Sequence, residues 1–418
     1  MADMTSMEPG IKRLYPDEML EFMALSDRPI QGILSKSERF GGNDLKIPIM
    51  YSDAEGGCAT FATAQNNVTD SNWAGFNLTR KRQYQMAHID AETAEATLDD
   101  EYAFVSAMQN EINSALNAVA NKVESLLPLG GTGSFGQIGS GQAGATITLS
   151  DIRDIFKFEK GMTLVVSATD GGAIRTGSEK VNKINRIDGT LGSTSATWAT
   201  VITAIAASDY LSVQGTAQHA GTKLCMDGFA SWFPATAPSA GESYYGQDRS
   251  LDSRLWGTYH NGANQKIEEA LIDGQSACAA NEGKPTKALM NHVWYRALIK
   301  ELGSKKEYSR DLGSKVSAQG AKGAMADIGY DAIKVHGVYG SIDVVSTPKV
   351  QAAICWLLDP KTCHLVTLKK SVRIDDLDGN RVLRRSAADG VECRVVHRGN
   401  FGSSAPARNG HVALKAIS

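Results

Sequence analysis

Apolar positions mark out one long helix more clearly than any other element of the chain. Leu98, Tyr102, Val105, Gln109, Ile112, Leu116, Val119, Val123 and Leu126 recur at alternating steps of four and three, and all except Gln109 are apolar. Asp99, Asp100, Glu111, Asn117 and Asn121 take the opposite face. The spacing predicts one amphipathic helix from about Asp90 to Leu127, ~55 Å long. With Gln109 in the seam, one buried helix face describes the stripe better than a coiled coil does. Its start carries Asp90, Glu92, Glu95, Asp99, Asp100 and Glu101 with no base among them, which suits the positive end of a helix dipole. Pro128 and Gly130-Gly131 end it.

Upstream the pattern is extended. Leu45 to Tyr51 and Phe76 to Ile89 read as strands, with a turn signal at Ser52 to Gly57 and a polar, small-residue stretch from Thr60 to Ser71. The second strand would reach about 46 Å, far beyond a usual strand, and the pair has too few large apolar residues to build its own core. Pro16 to Leu25 could form a short helix, interrupted by Arg28-Pro29 and Gly32. Residues 1–89 are therefore expected to lie over adjacent copies and complete their burial there.

Downstream, a Gly/Ser/Gln-rich stretch from Gly130 to Gly144 reads as a flexible connector. Met162 to Ala168, Glu179 to Arg186, Thr190 to Thr200 and Tyr210 to Gln214 are strand candidates around Asp-Gly turns, a small barrel or sandwich of about sixty residues. Helical spacing returns at Gln265 to Ala280 and His292 to Leu302. Short strands at Ala288 to Met290, Ser341 to Val345, Ala352 to Leu358 and Cys363 to Leu368 complete an α+β or α/β unit.

Composition narrows the function. At 418 residues and 44.7 kDa the chain has room for two to three domains. Its 43 Lys and Arg against 46 Asp and Glu leave no overall basic excess to draw it onto nucleic acid or anionic lipid. The N-terminus lacks the basic and apolar regions of a secretory signal, and the apolar run Trp198 to Ala207 is about half the ~20 residues a bilayer span needs. Six cysteines without CxxC spacing read as reduced, mostly buried thiols. The eight histidines are dispersed, and His364, in a strand, reads as structural. Gly131 to Gly136 spells GxGxxG but lacks the preceding strand and following helix that a dinucleotide site requires. Asp375 to Asn380 resembles half a calcium loop without its closing Glu. From Lys361 to Ser418, eleven Lys and Arg face five Asp and Glu. Their interleaving with valines (Arg381, Arg384, Arg385, Arg394, Arg398) suits solvent faces of strands.

Four further stretches carry a likeness. Ala352 through Leu365 resembles a strand pair returning from a central domain. Asp376 to Gly379, Val395 to Asn400 and Ala405 to Gly410 look like closing strands. With the order of parts above, the chain resembles the tailed-bacteriophage major capsid proteins of the Hong Kong 97-like fold. The resemblance implies an α+β fold with an N-terminal arm at 1–32, an extended β-hairpin loop at 33–89 and a peripheral domain at 90–128 plus 352–418 that holds the long spine helix. It also implies an axial domain at 216–351 and a β-rich insertion at 150–215. It implies a structural protein, not an enzyme, without cofactor or metal, whose hexamers and pentamers close into an icosahedral shell around double-stranded DNA. Assembly would occur in the host cytoplasm with a separate scaffolding protein and a portal, and in some relatives decoration proteins. No membrane and no sequence-specific DNA contact are implied.

Some relatives join a loop lysine covalently to an asparagine of a neighbour. Here the expected tip, Ser52 to Gly57, has no lysine, so no cross-link is expected although Asn380 sits in a plausible loop. Arg80, Lys81 and Arg82 are expected to face the acidic helix start (Asp90, Glu92, Glu95, Asp99, Asp100, Glu101) of the same or a neighbouring subunit. Two alternatives remain. One is an encapsulin-type compartment with the same fold. The other is a cytosolic nucleotide-binding enzyme, which would need the Gly131 to Gly136 loop ordered against a ligand.

Overall fold

The computed structural model describes residues 28–38, 40–96, 107–195, 197–217, 223–302, 333–376, 379, 381–385 and 388–417. The chain divides into two compact units, one formed by 1–28, 84–121 and 372–397 and the other by 29–83, 122–371 and 398–418.

The larger unit is built on a mixed six-stranded sheet in the order Thr258–Gly262, Gly410–Leu414, Ile354–Leu358, Lys287–Met290, Gly340–Ser346 and Ile333–Gly337. The first two strands run parallel, as do Lys287–Met290 and Gly340–Ser346, and the other neighbours are antiparallel. Helices Ile267–Ala279 and His292–Leu302 cover it, placing Ile267, Leu271, Trp294 and Leu298 in one core with Met290, Ile342, Leu357 and Val412. Both helices lie within a residue or two of the spans their periodicity predicts.

A second sheet in this unit pairs Ser35–Ser37 parallel to Cys363–Thr367, which runs antiparallel to residues 399–403 of the strand Gly390–Ser403. His364 lies in it, its Nε2 3.3 Å from Ser404 Oγ.

The β-rich block is a closed barrel in the order Tyr210–Val213, Ser134–Ser140, Thr146–Leu149, Thr190–Ser193, Glu179–Asn185 and Thr163–Ser167. The stretch read as a flexible connector is thus a barrel hairpin. Phe135 and Ile138, each 1% exposed, point inward with Ile147, Leu164, Val166, Leu191 and Leu211, and Phe135 meets Phe158 edge-on at 5.9 Å. Gly141 to Gly144 makes the turn, with the Gly144 N–H donating to Gly141 O at 2.9 Å. The block accordingly begins near residue 134 and not at 150. The candidate strand Thr190 to Thr200 also breaks, because the chain wraps a buried acid after Ser193. Glu179 Oε1 accepts from Ser193 Oγ (2.8 Å), Thr194 N–H (2.7 Å) and Ser195 N–H (3.1 Å), and its Oε2 accepts from Ser195 Oγ at 3.0 Å. Thr197 then caps the one-turn helix Trp198–Val201.

In the smaller unit the strand Gly390–Ser403 is flanked by Arg373–Ile374 and Val382–Arg384, and Lys81–Asp90 also pairs with it. Arg394 bonds Glu392 at 3.0 Å and Arg384 lies 3.7 Å from Asp389, as expected for charged strand faces. Arg28 donates to Asn117 Oδ1 (2.7 Å) and Asn121 Oδ1 (3.3 Å). The extended candidate Phe76 to Ile89 is two strands, Asn72–Thr79 and Lys81–Asp90, interrupted at Arg80. Of the predicted long helix, Ala91–Ala96 and Ala107–Leu126 are described, and 97–106 lie outside the described residues, as do Pro16 to Leu25 and Asn380. Val119, Val123 and Leu126 of the stripe are buried and Ile112 and Leu116 half-buried. No helix among the described residues is long and apolar enough to cross a membrane.

Burial alone would raise the Glu179 pKa. The hydrogen bonds from Ser193, Ser195 and Thr194 outweigh it and hold the carboxyl below its usual range. The stability this lowered pKa contributes is complete above the unfolded value of 4.5 and is lost as pH falls through the folded value. Glu179→Gln should cost about 1–3 kcal/mol at pH 7, and the gap from wild type should narrow toward pH 3, as urea denaturation of the full chain will read.

Candidate assembly surface

Several exposed large apolar side chains gather at the end of the hairpin of Asp44–Ser52 and Asn72–Thr79. These strands pair antiparallel from Asp44 opposite Thr79 to Ser52 opposite Asn72, with a register shift after Met50. Period-two alternation sorts the side chains. Ile49, Ala74, Phe76 and Leu78 are buried, while Lys46, Pro48 and Met50 face solvent. The inner face has a prepared bed: Phe76 lies 5.3 Å from the Trp232 ring and 6.4 Å from that of Tyr244. Gly402 lets the hairpin lie close, since a Cβ there would sit 2.7 Å from Ile47 Cδ1 and 3.3 Å from Leu78 Cδ2. The base of the hairpin is therefore buried on its own chain. The expectation that residues 1–89 complete their burial on adjacent copies is corrected for this part and for Ile30 and Leu34, which are also buried within the chain.

A polar pin fixes that base. Asn400 is fully buried, and its Oδ1 accepts the N–H groups of Asp227 (3.0 Å) and Phe401 (2.9 Å). Its Nδ2 donates to Thr79 O and Tyr245 Oη, each at 2.8 Å, so every donor and both lone pairs of the carboxamide are used. Tyr245 Oη donates to Asp227 Oδ2, while Asp227 Oδ1 accepts from Ser231 Oγ (2.9 Å) and Lys223 Nζ (3.1 Å). Burial, with the Asp227 carboxylate beside it, pushes the Tyr245 pKa well up and keeps the hydroxyl a donor. Asn77 N–H also donates to Tyr245 O at 3.0 Å.

Beyond the base, the chain between Ser52 and Asn72 folds into a short helix, Phe61–Asn66, that buries no residue. The sequence pattern read Thr60 to Ser71 as a polar, small-residue stretch and did not single out the large apolar side chains in and beside it. Phe61 (82%), Val68 (75%), Trp73 (60%) and Met50 (48%) are largely exposed. Large apolar residues standing alone in a small-residue stretch were the available signal.

The charged residues proposed for inter-subunit contact fare differently. Arg80 donates to Phe40 O (2.8 Å) and Gly42 O (3.0 Å) with its guanidinium 5.5 Å from the Phe40 ring centroid, and Lys81 Nζ donates to Lys223 O. Both heads are held by carbonyls of their own chain, and the proposed contact therefore rests on Arg82, which is exposed. Asp90 and Glu92 are exposed, Glu95 lies in the helix Ala91–Ala96, and Asp99, Asp100 and Glu101 lie outside the described residues.

The GxGxxG segment is filled by protein. Gly131 (φ 79°) and Gly133 (φ 80°) take left-handed conformations, and a Cβ at them would lie 2.1 Å from Asp227 Oδ1 and 2.8 Å from Thr216 O. A carboxylate and a carbonyl stand where a phosphate would need donors, and a strand follows instead of a helix. Among the described residues no group of three or more His, Cys, Asp and Glu is placed to hold a metal. Cys225, Cys278, Cys355, Cys363 and Cys393 are buried free thiols and Cys58 is exposed. Burial pushes the Cys225 and Cys278 pKa values up to about 12, leaving both unreactive.

No family model and no curated protein matches the chain. Solved structures do. It is similar to a chain of the cyanophage A-1(L) capsid asymmetric unit, with a TM-score of 0.52 and 12% identity over 96% of this chain and 98% of that one. It is also similar to the capsid protein of an empty GTA particle, with a TM-score of 0.50 and 11% identity over 100% of both chains. A holo-SrpI encapsulin complex from Synechococcus elongatus is matched with a TM-score of 0.47 and 6% identity over 99% of this chain and 95% of that one. The chain has the α+β fold of phage capsid proteins, as its sequence resemblance implied.

Asn400→Ala would leave Thr79 O, Tyr245 Oη and the Asp227 N–H without their buried partner. It should cost about 3 kcal/mol in urea denaturation of the full chain, against less than about 0.5 for an exposed control such as Asn72→Ala.

Proposed function

We propose that this chain is the repeating subunit of a closed protein shell. In the fuller form of the reading it is a major capsid protein whose hexamers and pentamers build an icosahedral head around double-stranded DNA. The capsid fold supports this, and one observation carries it: the hairpin is pinned and buried at its base but presents Phe61, Val68, Trp73 and Met50 to solvent at its tip. Side chains of that size gain roughly 1.5–3 kcal/mol each on burial, so a neighbour covering the tip is strongly favoured, and closed symmetry repeats the gain at every subunit. Lys46 and Pro48 on the outer edge oppose strand-to-strand addition there and leave side-chain contact as the mode of association.

On this reading residues 1–32 form the arm, 33–89 the extended loop and 90–128 with 352–418 the peripheral domain, while 216–351 form the axial domain. The barrel is an insertion. A separate scaffolding protein, a portal and, in some shells, decoration proteins are the expected partners. DNA is held without sequence-specific contact, in a virion capsid assembled in the host cytoplasm.

Negative-stain microscopy of the expressed chain, alone and with its scaffold, should show closed shells. A stable monomer under both conditions would refute the proposal. Nucleic acid inside particles from infected cells supports a capsid, and packaged protein cargo an encapsulin. Phe61→Ser combined with Trp73→Ser should leave the melting transition within about 2 °C while lowering shell yield at least about tenfold.

No lysine lies between Asp53 and Ser71. Shells boiled in denaturant should therefore run as a single monomer band, and a ladder of covalent multimers would show that subunits are cross-linked.

A further inference from the structure

A cleft of about 560 Å³ opens where the barrel meets the first turns of the helix His292–Leu302. Three arginines from three separate elements line it. Arg153 comes from the short 3-10 helix Ile152–Lys157, Arg186 from the turn after the strand Glu179–Asn185, and Arg296 from the helix His292–Leu302. Asp151 is the one carboxylate among the described residues that line the cleft.

The walls are fixed by contacts of their own. Gly189, at φ 64°, brings the Arg186 turn against the 3-10 helix, since a Cβ there would lie 2.8 Å from Ile152 Cα. Asp151 Oδ1 accepts the Arg153 N–H at 3.0 Å and caps that helix. The Arg153 guanidinium lies 4.7 Å from the Trp294 ring centroid and donates to Ile417 O at 3.1 Å. Phe156 meets the His292 ring edge-on at 5.4 Å.

The chain itself does little to neutralise this cluster. Glu159 accepts one hydrogen bond from Arg186, at 2.8 Å, and Asp151 lies 3.6 Å from Arg153. Arg296 is exposed and makes no hydrogen bond or ion pair with any described residue. Each guanidinium carries five N–H donors, so most of those around the cleft are unused. Partial burial and the charges of Arg296 and Arg153 lower the His292 pKa, which leaves its imidazole neutral at pH 7 and not a further cation.

The arrangement selects among anions. A carboxylate offers two oxygens in one plane, which one guanidinium fork satisfies. A phosphomonoester carries up to two charges and three terminal oxygens, so forks arriving from three elements can all meet it. The cleft has the size of a small-molecule site, and Ile152, Phe156 and Val293 give it an apolar wall for an organic group. We infer that it binds the phosphate of a small phosphomonoester between Arg153, Arg186 and Arg296. The inference does not depend on the shell reading.

Equilibrium dialysis of the full chain against radiolabelled inorganic phosphate, at pH 8 and constant ionic strength, tests it. One phosphate per chain should bind saturably with a Kd below about 1 mM. Arg296→Ala, which removes an exposed side chain with no partner to lose, should weaken binding at least about tenfold. Lys300→Ala takes the same charge from the same helix outside the cleft and should change it less than about twofold. Glycerol phosphate should displace the label, whereas succinate, and a dinucleotide with its singly charged diester, should need at least about tenfold more. Absence of saturable binding would overturn the site, and so would equal losses in the two variants, the mark of a diffuse positive field. Displacement by succinate or the dinucleotide as readily as by glycerol phosphate would overturn the phosphomonoester assignment.

Discussion

One buried carboxamide holds the geometry on which the hairpin and its bed depend. Asn400 bonds the end of the hairpin at Thr79, the start of the 227–245 region through the Asp227 N–H, and Tyr245, whose own hydroxyl returns to Asp227. Each of these groups would be costly to bury alone, and together they leave none of the carboxamide's capacity unused. The aromatic layer beside it, Phe76 against Trp232 and Phe229 against Phe401 at 5.1 Å, supplies apolar burial without direction. The polar pin supplies the direction, and a lever with a fixed base can present its far end reproducibly.

The contrast between the two ends of the hairpin follows from that division. At the base, alternation places Phe76 and Leu78 on a surface that Gly402 keeps open. At the tip the described residues offer no such surface, and Phe61 and Trp73 are largely exposed. An apolar tip on a fixed support is a hazard for indiscriminate association. The exposed Lys46 and Pro48 on the free edge answer it by disfavouring ladder extension while leaving the side chains available.

The barrel solves a different problem with the same economy of polar groups. Its closure removes free edges, and Glu179 gathers the donors released where the strand Thr190–Ser193 ends. Glu124, which accepts the Ile30 and Gln31 N–H groups, and Asp227 likewise sit where main-chain or side-chain donors converge. Buried acids in this protein organise chain entry and chain reversal, and among the described residues none belongs to a group of three or more His, Cys, Asp and Glu placed to hold a metal.

Periodicity alone determined the helices Ile267–Ala279 and His292–Leu302, where the apolar spacing follows directly from one face meeting a core. The strands Ile354–Leu358 and Cys363–Thr367 are buried on both faces and show in the sequence as short, mostly apolar runs. The ordered succession of parts was also enough to suggest the capsid fold. Tertiary structure decided what composition misread. The Gly/Ser/Gln run at 130–144 became a barrel strand because Phe135 and Ile138 found a closed interior, a pairing between distant segments that leaves no local trace. It likewise decided that Arg80 and Lys81 serve carbonyls of their own chain, and that an asparagine with no flanking motif fixes the hairpin. Local spacing records which side of an element is buried. Which distant group satisfies a buried donor or acceptor is settled only when the chain has closed around it.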